Sequence, residues 1–158
     1  MDTIQLDLSK RNFDVSFTML ENLIEITPDE LWEKKKGGIV YWQQLFHVLT
    51  GANYWMRQSS EQFLEPFSER NLYPELEKDP ESNLSKNELL EYKDKVKSIT
   101  TSFFEGKDDS WLYNYSEVCD KIRNIEIVYM QIRHIQYHIG HCESILRENN
   151  HKTTEWID

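Results

Sequence analysis

Residues 120–148 read DKIRNIEIVYMQIRHIQYHIGHCESILRE and form the longest helical pattern of the chain. The segment contains no proline and one glycine, Gly140, so nothing in it forces a helix to end. Its apolar residues recur at spacings of three and four, which is the periodicity of one helix face. They are Ile125, Val128, Ile132, Ile135 and Ile139. We therefore predict a helix from about Asp120 to about Glu148. Further apolar residues on the opposite face predict that this helix lies at the centre of the molecule.

Three other segments show the same periodicity. The first is predicted over residues 10–26 and the second over residues 40–58. The third is predicted over residues 85–104, because Ser85 and Glu88 form a capping box at its start. No alternating apolar pattern predicts a β-strand.

The segments between these helices predict the topology. A short helix is expected after the first one, with Thr27 as its N-cap and Pro28 at its first position. The connection Glu61–Leu84 holds three of the four prolines, and its length is typical of a lid, a binding loop or an ordered wrap. The sequence thus predicts one all-α domain over residues 1–158, a four-helix bundle with long crossover connections.

The composition disfavours several classes of protein. Eighteen basic and 28 acidic residues give a net charge of −10, which opposes binding to nucleic acid. No apolar run is long enough for a membrane-spanning helix, and MDTIQLDLSK does not resemble a secretory signal. Cys119 and Cys142 do not form a disulfide framework. We expect a cytoplasmic protein with reduced cysteines and no membrane or nucleic-acid partner.

Three of the five histidines lie in the last predicted helix. At about 100° per residue, His134, His138 and His141 share a sector roughly 60° wide. His134 and His138 are four residues apart, which is the spacing with which one helix face binds a metal ion. Neutral imidazole is a good ligand for zinc, nickel, copper and iron.

A third ligand is expected from the second predicted helix, where His47 lies off the aliphatic face. Gly51 leaves space on the same side, and Tyr54 is placed to donate a hydrogen bond to a metal-bound ligand. Three histidine ligands leave coordination positions open, as in catalytic metal sites. The same residues also fit ordinary core histidines, with His141 extending a polar stripe.

Two short motifs resemble one known family. GIVYWQQLFH, residues 38–47, resembles the first ligand helix of the DinB-like (YfiT-like) metal-dependent enzymes, and RHIQYHIG, residues 133–140, resembles their HxxxHxG helix. The resemblance implies a bundle in that family's topology, homodimers, and a nickel or zinc ion held by His47, His134 and His138. Its pattern differs at His141, where the family often has glutamine, so His141 is a candidate contact to the metal or the substrate.

The resemblance also implies a reaction class. Characterised relatives include thiol S-transferases, so we expect metal-activated water or thiol chemistry on a small-molecule substrate, with a low-molecular-weight thiol as possible cosubstrate. Arg57, Arg133 and Arg147 are candidate partners for the carboxylates of such a thiol. The alternative is a non-catalytic helical binding module with a structural or vestigial histidine site.

Overall fold

Helices form most of the chain in this computed structural model, which describes residues 2–58 and 62–158. In chain order the elements are α1 (Ile4–Ile26), α2 (Asp29–Trp32), β1 (Lys35–Lys36), β2 (Ile39–Val40), α3 (Tyr41–Met56), a 3-10 turn (Ser68–Arg70), α4 (Lys86–Phe104), α5 (Asp109–Leu112) and α6 (Asn124–Glu148). The four long helices match the four predicted segments. Glu61, the predicted start of the long connection, lies outside the described residues.

Helix α1 begins earlier than predicted because a distant residue caps it. The carboxylate of Asp109 accepts hydrogen bonds from the backbone N–H groups of Gln5 and Leu6, at 3.2 and 2.8 Å. These donors have no partner within the helix itself. Because Asp109 lies about a hundred residues away, the sequence around the helix start does not reveal this cap.

The predicted N-cap at Thr27 is wrong. Pro28 occupies the N-cap position of α2, and the Thr27 hydroxyl instead donates to the carbonyl of Leu23 at 2.6 Å, at the end of α1. The unpredicted strands β1 and β2 form a two-residue hairpin ladder directly after α2. Gly37 and Gly38 make its turn with φ of +61° and +87°, a conformation that suits glycine and short β-hairpins.

The long helices pack in a ring. Helix α1 contacts α4 and α6, and α3 contacts the same two helices, so α1 and α3 lie at opposite corners. The chain therefore crosses the bundle between α1 and α3 and again between α4 and α6. Crossover connections are therefore present, as predicted, although the long connection after α3 joins two neighbouring helices.

Helix α3, and not α6, is the most buried helix. Eleven of its 16 residues are buried, including the large side chains of Tyr41, Trp42 and Phe46. Helix α6 keeps one exposed strip, in which Tyr129 and Tyr137 are 54% and 74% exposed. Burial of most of α3 also takes polar side chains into the interior, and these side chains build the site described below. In the described part of the chain, no helix is long and apolar enough to cross a membrane.

Candidate metal centre

The packing of α3 against α6 brings the three predicted ligand histidines together. His47 comes from α3, and His134 and His138 come from successive turns of α6. One ring nitrogen from each lies within 4.8 Å of the other two, and the Nε2 atoms of His47 and His134 are 2.8 Å apart. This geometry places the three histidines close enough to bind one metal ion, as the sequence predicted.

Oxygen acceptors fix the orientation of two of these rings. The Nδ1–H of His47 donates to the carbonyl of Pro74 at 2.6 Å, and the Nδ1–H of His138 donates to Oε1 of Gln44 at 3.2 Å. Because both oxygens can only accept, the proton of each neutral ring resides on Nδ1 and the lone pair on Nε2. Metal-binding histidines commonly have such an acceptor on the nitrogen that does not bind the metal.

Gln43 holds the long connection against α3. Its buried amide nitrogen donates to the carbonyls of Tyr73 and Lys78 at 2.9 and 2.8 Å. These bonds anchor the chain on both sides of Pro74, whose carbonyl meets His47. A glutamine in a buried helix therefore secures the connection that orients His47 on the same helix.

His134 has a different environment. Since the Nε2 of His47 carries a lone pair, the 2.8 Å contact requires His134 to donate through its own Nε2–H. The Nδ1 of His134 is then an acceptor. Oε1 of Gln131 is buried and has no donor among residues 2–58 and 62–158. A Cβ added at Gly51 would lie 3.2 Å from His134 Nδ1 and 3.7 Å from Gln131 Oε1, so two acceptors border the same small space.

The three histidines are neutral at pH 7. Burial, together with the neighbouring His47, lowers the pKa of His134 to about 4 and that of His138 to about 3. Burial also lowers the pKa of His47, although the Pro74 carbonyl opposes this effect. Neutral rings retain the lone pairs that a metal ion requires.

The other two predicted site residues lie outside the group of three. The Nδ1–H of His141 donates to Oε1 of Gln44 at 2.8 Å, so His141 is joined to His138 through one amide oxygen. Tyr54 is 37% exposed and borders a groove with His47, without a hydrogen bond to a histidine in the described residues. Gly51 lines two grooves together with His47, and the ring of His134 also borders the space at Gly51.

A groove of about 640 Å³ opens over the histidines. Its walls include the aromatic rings of Trp55 and Tyr137 and the apolar side chain of Met130. Arg133 is the only basic side chain among the described residues that line it. Of the other predicted cations, Arg147 pairs with Glu143 at 3.3 Å, and Arg57 borders a separate cavity with Lys107 and Trp111.

A second groove of about 290 Å³ adjoins His47 from the side of the long connection. The groove is lined by Phe63, Glu65, Pro74 and Glu75, so the long connection borders the three-histidine group. Burial raises the pKa of Glu65, and the nearby Glu75 raises it further.

Comparison with known proteins adds no assignment: no family model, no curated protein and no solved structure matches the chain.

The sequence analysis did not identify three residues that surround the histidines, Gln44, Gln131 and Pro74. The two glutamines each lie three residues before a ligand histidine, one helical turn away, and this spacing was the available signal. Nothing in the sequence indicates that the Pro74 carbonyl meets His47.

Proposed function

We propose that this chain is a metal-dependent enzyme that uses His47, His134 and His138 to hold a zinc or nickel ion. The observation that carries the proposal is the distribution of protons around the three rings. Two rings present Nε2 lone pairs, and the third has an unused acceptor beside the nitrogen that would carry its proton after ligation.

The position of Gln131 supports a metal ion at the three histidines. When Nε2 of His134 binds a cation, its proton is displaced and the ring can carry a proton on Nδ1 instead. That Nδ1–H then faces the space shared with Oε1 of Gln131, which otherwise has no donor in the described chain. The two atoms are not hydrogen-bonded in this structure, so a small movement of the Gln131 side chain would be needed to join them. The bond would then satisfy a buried acceptor whose lack of a donor is unfavourable by about 1–3 kcal/mol.

A bound zinc ion with open positions supplies an activated water or thiolate at neutral pH. The protein supplies the substrate environment. Trp55 and Tyr137 offer aromatic surfaces, and Arg133 offers a cationic group for an anionic part of the substrate. The groove volume lies within the range of small-molecule sites. We therefore propose hydrolysis or thiol S-transfer on a small organic molecule.

The arrangement also supports our proposal that the chain is DinB-like, because the motif histidines meet in one site. That proposal extends to a homodimer, which sedimentation analysis would test. If the chain were a non-catalytic binding module, it would bind a ligand or metal without turnover.

The test is an activity screen of zinc-loaded and nickel-loaded protein, with and without low-molecular-weight thiols, against electrophiles and hydrolysable esters and amides. His134→Ala is the control. We expect turnover that depends on metal and disappears in the variant. Metal binding without turnover on any substrate would favour the binding module, and absence of metal binding would overturn the proposal.

A further inference from the structure

We propose that His141 is a positioning residue that acts through Gln44 to keep the ligand His138 in the Nδ1–H tautomer. The inference rests on the metal site proposed above but concerns groups outside the three ligands. It also assigns a role to the β1–β2 hairpin, whose turn packs against His141.

Only the oxygen of the Gln44 side-chain amide makes hydrogen bonds in the described residues. It is fully buried, and its Oε1 accepts the Nδ1–H groups of both His138 and His141, at 3.2 and 2.8 Å. Its Nε2 has no acceptor among residues 2–58 and 62–158. The two histidine donors are therefore the hydrogen bonds that orient this amide.

The orientation of the amide decides which nitrogen of His138 carries a proton. With Oε1 facing the ring, the neutral ring has its proton on Nδ1 and its lone pair on Nε2, the nitrogen available to a metal. If the amide rotates by 180°, its NH₂ group donates to Nδ1, and the proton of the neutral ring moves to Nε2. That proton would have to be displaced before the metal binds.

His141 selects between these two arrangements. Its shorter bond to Oε1 holds the oxygen in place, and a rotated amide would leave the Nδ1–H of His141 facing an NH₂ group. The conflict between two donors disfavours the rotated state as long as His141 presents its Nδ1–H. Removing this donor takes away the bias, and the amide nitrogen can then find an acceptor on His138.

The hairpin turn fixes His141 from the other side. A Cβ at Gly37 would lie 2.4 Å from Nε2 of His141, so the imidazole occupies the place of a side chain at this position. Gly38, the other residue of the turn, also has a positive φ but would meet nothing within 4 Å. The chain thus offers two glycines with similar backbone strain, of which one contacts His141.

The experiment compares four variants: His141→Ala, His141→Asn, Gly37→Ala and Gly38→Ala. Zinc affinity is measured by competition with a chromophoric chelator, and the His138 tautomer of metal-free protein is measured by long-range ¹H–¹⁵N NMR. Circular dichroism and thermal midpoints verify folding. We expect His141→Ala and Gly37→Ala to weaken zinc binding by about 10- to 100-fold, the usual effect of losing an outer-shell partner.

The conservative variants supply the controls. The amide nitrogen of asparagine lies near the place of Nδ1, so His141→Asn should retain the bond to Gln44 and bind zinc within a few-fold of wild type. Gly38→Ala should also retain affinity. In metal-free protein, we expect His138 to have its proton on Nδ1, with a mixture of tautomers in His141→Ala.

Unchanged zinc affinity and an unchanged tautomer in folded His141→Ala would overturn the proposal, and the enzyme proposal would stand. If the wild type bound neither zinc nor nickel while His141→Ala still shifted the tautomer, the positioning role would be supported and the enzyme proposal would fail. If Gly37→Ala did not fold, the paired His141 variants would still decide between these results.

Discussion

Two polar clusters lie between the helices, and they differ in how their groups are satisfied. Between α1 and α4, both oxygens of Glu21 are paired, with Lys93 at 3.2 Å and Lys97 at 2.7 Å, and Lys93 also pairs with Asp94. Between α3 and α6, three neutral histidines converge beside an acceptor, on Gln131, that has no donor in the described residues. The charges of the first cluster are paired within the protein, whereas the second cluster retains an unpaired acceptor beside three rings that lie close enough to bind a metal ion. On the function proposed above, the first cluster joins helices and the second holds the metal.

The largest expected effect is the loss of metal binding in His134→Ala. Removing one of three ligands should weaken zinc binding by more than about 100-fold, because the remaining two nitrogens no longer surround the ion. Lys93→Met, in the other cluster, should bind zinc as wild type does. Calorimetric titration of both variants measures the contrast, and equal affinities would contradict the assignment of roles.

A smaller effect is expected at Gln131. Gln131→Leu should lower zinc affinity by about 10- to 100-fold, because it removes the acceptor proposed for the Nδ1–H of ligated His134. It should also stabilise the metal-free protein, since a buried acceptor without a donor is removed. Gln136→Leu is the matched control on the same helix, where the amide contacts Met19 instead of a histidine. Zinc competition and urea unfolding test both effects, and similar zinc affinities for the two variants would contradict this role.

The pH dependence of the free energy of unfolding should also reveal the buried neutral histidines of the cluster between α3 and α6. In the unfolded chain the histidines titrate near 6.5, whereas in the folded protein the pKa of His134 is lowered to about 4 and that of His138 to about 3. Between these values the unfolded state binds more protons, so the metal-free protein loses stability as pH falls below 6.5. The loss is up to about 1.4 kcal/mol per pH unit for each histidine that stays neutral.

Urea unfolding between pH 7 and pH 4 measures this slope. His138→Ala should have a shallower slope, because one buried neutral histidine is absent. A wild-type free energy of unfolding that does not change between pH 7 and pH 5 would contradict the burial of neutral rings.

The smallest expected effect is that of Glu21→Gln. The variant should lose about 1 kcal/mol of stability, because Lys93 keeps Asp94 as a partner and Lys97 is exposed. Its zinc affinity should not change. A change in zinc affinity would show that the two clusters are coupled through the bundle, contrary to the comparison above.

Local periodicity was sufficient to predict the four long helices, and the spacing of four residues was sufficient to predict that His134 and His138 share one helix face. His47 was predicted as their partner because it lies off its own apolar stripe. The groups that fix the rings were not predictable in this way. The carbonyl of Pro74 comes from an irregular connection whose path is determined by Gln43, and the backbone donor groups of Gln5 and Leu6 find their cap at Asp109.

The glutamines illustrate the same limit. Gln44 and Gln131 are polar residues in apolar helices, and the sequence does not tell whether such a residue faces water or the interior. Their roles depend on the ring arrangement of the helices, which buries most of α3 and brings α6 against it. Tertiary packing, and not local pattern, converts these side chains into partners of the histidines.

The most direct test of the three-histidine site is an anomalous diffraction map, recorded above and below the zinc absorption edge, from crystals grown with zinc. We expect one peak at about 2.0–2.1 Å from a ring nitrogen of each of His47, His134 and His138, with an open side toward the groove. A map without a peak at these rings, or with its peak elsewhere on the protein, would contradict the three-histidine site.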